Sequence, residues 1–324
     1  MDTTQGFPQS RQNVKYSPHS ALNTLDYYIP RRPSTAAHQL WIIYIHGGAW
    51  RDPEIDSTSF LPTQSLLLQS REMDQIAGFA SINYRLSPYP SHPHSPSDPT
   101  DPARNAHHPD HLNDILAALR HLQDTFSFGR HYLLVGHSCG ATLAFQAAMM
   151  QQHQPQQQRH SSSPPSPPLP PPLALLAVEG LYDLPALLSY HASSPIYHHL
   201  ITNAFGPDPE DWARASPTTL SSASNPITSD PITSASASTS ASPLTPTLIV
   251  LAHSRQDELV EWQQVDLMHS RLKSQGFNEV EGEGGRRLKL IELHGAHDDV
   301  WRDGEAGELA RAVRETLMVV RERG

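Results

Sequence analysis

Short apolar runs alternate with stretches of helical periodicity along most of the chain. Six runs predict strands, near residues 40–46, 78–84, 131–136, 173–179, 246–252 and 287–293. Five other stretches predict helices, near residues 57–77, 110–126, 140–152, 260–275 and 304–322. In the last of these, Leu309, Val313, Leu317 and Val320 share one helical face. This alternation predicts an α/β fold, with a mostly parallel sheet covered by helices on both faces.

Three polar segments of low complexity interrupt this pattern, near residues 87–108, 151–172 and 216–246. Such compositions bury too few apolar groups to offset the entropy of ordering the chain. We therefore expect weakly ordered or disordered insertions within a single domain, residues 1–324. The proline-rich run 166–172 could form a polyproline II helix that binds an SH3-like partner, but a passive spacer is the preferred interpretation.

Bulk composition narrows the class of protein. A chain of 324 residues can bury the core of one large domain, and its net charge of -10 argues against nucleic acid and anionic membranes as partners. Residues 1–28 contain no apolar signal-peptide core, and no run approaches the roughly 20 apolar residues that span a bilayer. The single cysteine, Cys139, excludes an intramolecular disulfide. We expect a soluble, cytoplasmic protein.

The most informative segment is Val135-Gly-His-Ser-Cys-Gly-Ala141. It has the G-x-S-x-G pattern and lies between a predicted strand and a predicted helix. A serine at such a sharp turn is held above the end of the sheet, which suits a nucleophile. Ser138 is therefore the candidate nucleophile. Cys139 is the alternative, but Ser138 has the central position, so Cys139 is assigned a backbone role.

A second motif, His46-Gly47-Gly48-Ala49-Trp50, follows the first predicted strand. A loop in this position can supply one backbone N–H to an oxyanion hole, and the residue after the nucleophile supplies another. We expect these donors near Gly48 and at Cys139, where they would stabilise a developing negative oxygen.

The acid and the base should follow the serine in that order. Asp257 follows the apolar run 247–252, and His297 follows the predicted strand 287–293. Asp183 is the rival acid and His294 the rival base. The alternative role for either aspartate is a helix N-cap.

Most of the 20 histidines need ordinary explanations. His46 and His137 flank the two motifs, and we expect them to make local hydrogen bonds. The loop histidines lack a recognisable ligand spacing, so no metal or other cofactor is predicted. They are His92, His94, His107, His108 and His111.

The chain resembles the fungal kynurenine formamidases of the α/β-hydrolase superfamily. The resemblance lies in five segments: 44–53, 135–144, 179–184, 254–260 and 294–300. It implies that Ser138, Asp257 and His297 are nucleophile, acid and base, in agreement with the assignment from chain order. It also implies hydrolysis of N-formyl-L-kynurenine in tryptophan breakdown, which can feed NAD biosynthesis, and it implies a homodimer.

Two rival functions remain open. A general carboxylesterase would use the same three residues, and an inactive hydrolase fold could act as an interaction module. The aromatic residues Trp50, Tyr182 and Trp301 could line an aryl pocket, or they could belong to the core.

Overall fold

One mixed sheet of nine strands organises the computed structural model, which describes residues 6–32, 39–150, 168–220, 245–280, 285–302 and 307–322. The strands are β1 Gln9–Lys15, β2 Thr24–Ile29, β3 Leu40–Ile45, β4 Ile76–Ile82, β5 Tyr132–His137, β6 Ala174–Val178, β7 Leu248–Ser254, β8 Asn278–Glu279 and β9 Arg287–Leu293. Their order is β1-β2-β4-β3-β5-β6-β7-β9-β8. The β1–β2 and β2–β4 pairs are antiparallel, and all the others are parallel. The mostly parallel sheet is confirmed.

Helices cover both faces of this sheet, as predicted. They are α1 Leu61–Leu68, α2 Asp110–Phe126, α3 Cys139–Met150, α4 Leu184–Tyr190, α5 Pro195–Phe205, α6 Pro209–Ala215, α7 Gln263–Ser274 and α8 Gly307–Arg321. Successive strand side chains point to opposite faces, so each central strand contributes to two cores. In β3, Ile43 packs in the core with α2, α3 and α7, whereas Ile42 packs in the core with α1 and α8.

The single helix predicted over residues 57–77 is wrong. A short 3-10 turn at Ser57–Phe60 leads into α1, and a second turn at Arg71–Gln75 precedes β4. Ser70 has extended backbone angles, which end the helical path between them. The sequence pattern also missed β1, because this strand has mostly exposed polar side chains and lies at the edge of the sheet.

Residues 87–108, expected to be weakly ordered, are folded. Ser87 N–H donates to the Trp50 carbonyl, and Leu86 exchanges backbone hydrogen bonds with residues 103 and 106. Asp98 and Asp101 accept hydrogen bonds from nearby backbone N–H groups and close the turns. Backbone and side-chain hydrogen bonds order this segment despite its few apolar residues.

Most of the other two predicted insertions, residues 151–167 and 221–244, lies outside the described residues. Among the helices that the structure does describe, none has both the length and the apolar character that crossing a membrane requires.

Candidate active site

Ser138 occupies a sharp turn between β5 and α3. Its φ of 54° lies in the left-handed region, which is rare for a residue with a side chain. Two backbone hydrogen bonds hold the turn: Ser138 N–H donates to the Val178 carbonyl, and Ala141 N–H donates to the Ser138 carbonyl. Strain of this kind is maintained only where the surroundings enforce it. The predicted strand–turn–helix context is therefore present.

The two glycines of the motif allow backbone segments to approach closely. A Cβ atom on Gly136 would lie 2.3 Å from the Gly140 carbonyl oxygen, and one on Gly140 would lie 2.3 Å from the Ile45 carbonyl oxygen. Neither clash could be relieved by turning a side chain. These positions let α3 begin directly against β5 and bring the serine turn close to the end of β3.

The loop His46–Trp50 lies beside the serine turn. A Cβ atom on Gly47 would be 3.1 Å from Ser138 Cβ, and Trp50 N–H donates to Cys139 Sγ over 3.2 Å. Gly48, Ala49 and Trp50 all have positive φ angles. The loop is therefore held in a tight, unusual path next to the candidate nucleophile.

His46 and Cys139 both support this loop. The His46 ring stacks on Tyr84 at 4.4 Å, and its Nδ1 lies 2.9 Å from the Gly47 carbonyl oxygen. Burial lowers the pKa of His46 to about 4, so this ring is neutral near pH 7. Burial raises the pKa of the Cys139 thiol to about 11. A protonated thiol is a poor nucleophile, which argues against the cysteine alternative.

Asp257 and His297 meet across the loops that follow β7 and β9. His297 Nδ1 lies 2.8 Å from Asp257 Oδ2, and both side chains are buried. The other carboxylate oxygen, Oδ1, accepts the N–H groups of Leu259 and Val260. Burial by itself would raise the pKa of Asp257. The hydrogen bond from His297, the charges of His297 and His253, and the Val260 N–H together hold it below its usual value.

His137 links the serine turn to the His297 loop. Its Nε2 lies 3.0 Å from the His297 carbonyl oxygen, and the two rings are 4.8 Å apart. A carbonyl only accepts hydrogen bonds, so this nitrogen of His137 carries the proton. Glu258, which follows Asp257 in the loop after β7, accepts the backbone N–H of His297. The structure thus brings Ser138, Asp257 and His297 to the same edge of the sheet.

The rival residues lie in other settings. Asp183 caps α4 by accepting the Ala186 N–H, and exposed His294 contacts Glu308. Trp50 packs on Phe205 and Tyr182 packs on Phe145, and both are fully buried in the core. Of the three candidate pocket aromatics, Trp301 is partly exposed, and its ring centroid lies 6.3 Å from that of His137.

Sequence reasoning assigned no role to Glu179, which follows β6 and lies under the site. Its Oε2 is 3.2 Å from His137 Nε2 and 3.9 Å from His297 Nδ1. The carboxyl group of Glu179 is fully buried, and the backbone φ angle of this residue, 49°, again lies in the left-handed region. Burial raises the pKa of Glu179 to about 9; the charge of His297 opposes this shift, and the charge of Asp257 adds to it. A charged residue ending a buried strand was the signal that could have identified it.

Glu179→Gln should become increasingly stable relative to the wild type as pH rises. From about pH 4.3, where an unfolded glutamate titrates, to about pH 9, the folded protein keeps a proton that the unfolded chain has released. The free energy of unfolding of the wild type therefore falls across this range, whereas a glutamine has no proton to release. Urea unfolding at about pH 5.5, 7 and 8.5 measures the difference.

Glu315→Gln is the matched control. Burial alone would raise the pKa of Glu315, but the hydrogen bonds from Lys289 and Arg311 hold it below its usual value. The difference in free energy of unfolding between this control variant and the wild type should stay constant over the same three pH values. A constant difference for Glu179→Gln as well would show that Glu179 is ionised in the folded protein.

Two groups of the described residues have the ligand types that bind metal ions. One is His137, Glu179 and His297, and the other is Asp52, Glu54 and His92. In the first group, His137 Nε2 contacts a carbonyl and His297 Nδ1 contacts Asp257. In the second, His92 Nδ1 accepts the backbone N–H of Ser95, so a neutral His92 ring carries its proton on Nε2, the nitrogen that lies 3.5 Å from Asp52 Oδ1. These nitrogens already have partners, so neither group makes a persuasive metal site.

Sequence comparisons place the chain among named hydrolases. The BD-FAE family model matches residues 25–272. The kynurenine formamidase-like hydrolase fscH of Fusarium equiseti is 37% identical, and the match covers 92% of this chain and 90% of that protein. Kynurenine formamidase avaC of Aspergillus versicolor is 36% identical, with 82% and 85% covered.

Solved structures confirm the fold. Esterase B from Lactobacillus rhamnosis superimposes with a TM-score of 0.63 at 17% identity, covering 97% of this chain and 87% of that one. A truncated carbohydrate esterase from gut microbiota gives a TM-score of 0.60 at 19% identity, covering 97% and 98%. Both are esterases with the α/β-hydrolase fold. With these matches over most of its length, the chain is a hydrolase and belongs to the kynurenine formamidase family of the α/β-hydrolase fold.

Proposed function

We propose that this hydrolase converts N-formyl-L-kynurenine into L-kynurenine and formate through Ser138, His297 and Asp257. The observation that carries the proposal is the buried 2.8 Å contact between Asp257 and His297, at the same sheet edge as the strained Ser138 turn. Family membership supports the choice of substrate.

The reaction begins when Ser138 Oγ attacks the formyl carbon. His297 accepts the serine proton, and Asp257 orients the ring and stabilises its protonated form. The carbonyl oxygen gains negative charge, and backbone N–H groups near Gly48 and at Cys139 stabilise it. The C–N bond then breaks, and His297 returns the proton to the leaving arylamine.

Water completes the cycle. His297 removes a proton from the water, whose oxygen attacks the formyl-serine ester. Formate leaves, and the proton returns to Ser138 Oγ. We also propose that the reaction serves tryptophan breakdown; the homodimer implied by the family remains a prediction.

The proposal is tested by comparing kcat/KM for N-formyl-L-kynurenine with kcat/KM for a short-chain aryl ester. We expect efficient release of L-kynurenine. Turnover of the ester without measurable cleavage of the formamide would identify a general carboxylesterase and refute the formamidase assignment. Turnover of neither substrate would favour the interaction-module alternative.

A further inference from the structure

Arg51 is a buried cation at the end of the His46–Trp50 loop. It is only 8% exposed, and its guanidinium carbon lies 4.0 Å above the centre of the Tyr89 ring. Within the described part of the chain, no carboxylate forms an ion pair with it. Arg85, by contrast, is paired with buried Asp114 through contacts of 2.8 and 2.9 Å.

An unpaired buried charge is unfavourable unless something compensates for it. The ring of Tyr89 compensates in part, through a cation–π contact. The charge of the neighbouring Asp52 also favours the cation, but Asp52 forms no ion pair with Arg51: its Oδ1 accepts the Glu54 N–H and lies 3.5 Å from His92 Nε2. Arg51 is not completely enclosed, because 8% of its surface remains exposed.

The backbone of Arg51 is fixed close to the candidate nucleophile. Its N–H donates to the Gly48 carbonyl, and the preceding residue, Trp50, donates to Cys139 Sγ. The segment that carries Tyr89 is tied to the same loop, because Ser87 N–H donates to the Trp50 carbonyl. The cation is therefore held in place before any ligand arrives.

We propose that Arg51 binds the carboxylate of an amino-acid side arm on the arylamine leaving group. This inference rests on the proposed function, since N-formyl-L-kynurenine bears such a carboxylate. A guanidinium offers two parallel N–H groups that match a carboxylate, which makes the contact both strong and oriented. In a chain of net charge -10, a local cation is needed to hold the carboxylate of this zwitterionic substrate.

The test compares N-formyl-L-kynurenine with 2'-formamidoacetophenone, a neutral aryl formamide that lacks the amino-acid arm. Arg51→Gln should lower kcat/KM for the first substrate about 30-fold, mainly through KM, and change the second less than about two-fold. Arg51→Lys should restore part of the loss, because it keeps the charge but not the paired donors. Equal losses on both substrates would overturn the proposal and leave Arg51 a structural role on Tyr89.

Arg255→Gln is the matched control. Arg255 also stacks on an aromatic ring, at 3.9 Å from Trp262, but it is exposed and paired with Glu292. Arg255→Gln should leave kcat/KM for both substrates unchanged. If the wild-type enzyme cleaves neither formamide, the proposed function fails by itself, and Arg51 is then tested by L-kynurenine inhibition of ester hydrolysis. A Ki that rises in Arg51→Gln supports the carboxylate site, and an unchanged Ki refutes it.

Discussion

Ser138→Ala should lower kcat for N-formyl-L-kynurenine by about a million-fold, the loss typical when the serine of a cooperating triad is removed. The substitution deletes Oγ, the atom that would attack the formyl carbon. It keeps the two backbone hydrogen bonds of the turn, so the fold should be preserved. The measurement is the rate of L-kynurenine release, with mass spectrometry to detect a formyl adduct on the wild-type chain.

Ser65→Ala makes the same chemical deletion on the exposed face of α1, where Ser65 Oγ donates only to the Leu61 carbonyl. Its turnover should match that of the wild type. Wild-type turnover in Ser138→Ala would instead remove the serine from the mechanism.

Asp257→Asn should lower kcat by about ten thousand-fold while the fold remains intact. The reason lies in how the two oxygens of Asp257 are used. Oδ1 accepts the N–H groups of Leu259 and Val260, and the asparagine oxygen can keep both bonds. The amide NH₂ must then face His297 Nδ1, which forces the proton of the neutral ring onto Nε2. That nitrogen can no longer accept the serine proton. Single-turnover kinetics measure the loss of catalysis, and an unfolding curve measures any change in the stability of the fold.

Asp183→Asn is the control for this substitution, since Asp183 caps α4 and should have no effect on kcat. Glu179 offers a sharper comparison, because it is a second carboxyl group 3.9 Å from His297 Nδ1. Removing the Asp257 charge removes one cause of the raised pKa of Glu179, which allows Glu179 to ionise. If Asp257→Asn loses less than about a hundred-fold, Glu179 is replacing the missing carboxylate, and the double variant with Glu179→Gln should lose the rest. If the double variant is no slower, Asp257 is not the orienting acid.

Much of the site could be predicted because its parts follow strands in a known order. Ser138, Asp257 and His297 each follow an apolar run that the structure shows as β5, β7 and β9. Parallel strands place their carboxyl ends at one edge of the sheet, so the pattern of strands alone predicts that the three residues lie at the same edge.

What the pattern could not provide were contacts between segments distant in sequence. Glu179 reaches His137 and His297 from the end of β6. Arg51 stacks on Tyr89 from a segment that composition alone would leave disordered. Both depend on which buried groups find partners, and that is a property of the assembled chain.

The sequence by itself determined the alternation of strands and helices, the serine turn with its two glycines, and the order of the candidate residues. Each of these follows from the spacing and order of residues along the chain. The tertiary structure alone decided that Trp50 and Tyr182 belong to the core and that Glu179 is buried beneath His297. It also decided that Arg51 is buried on Tyr89 without an ion pair to any carboxylate of the described residues. Burial and electrostatic pairing arise from atoms brought together by folding, so no local pattern encodes them.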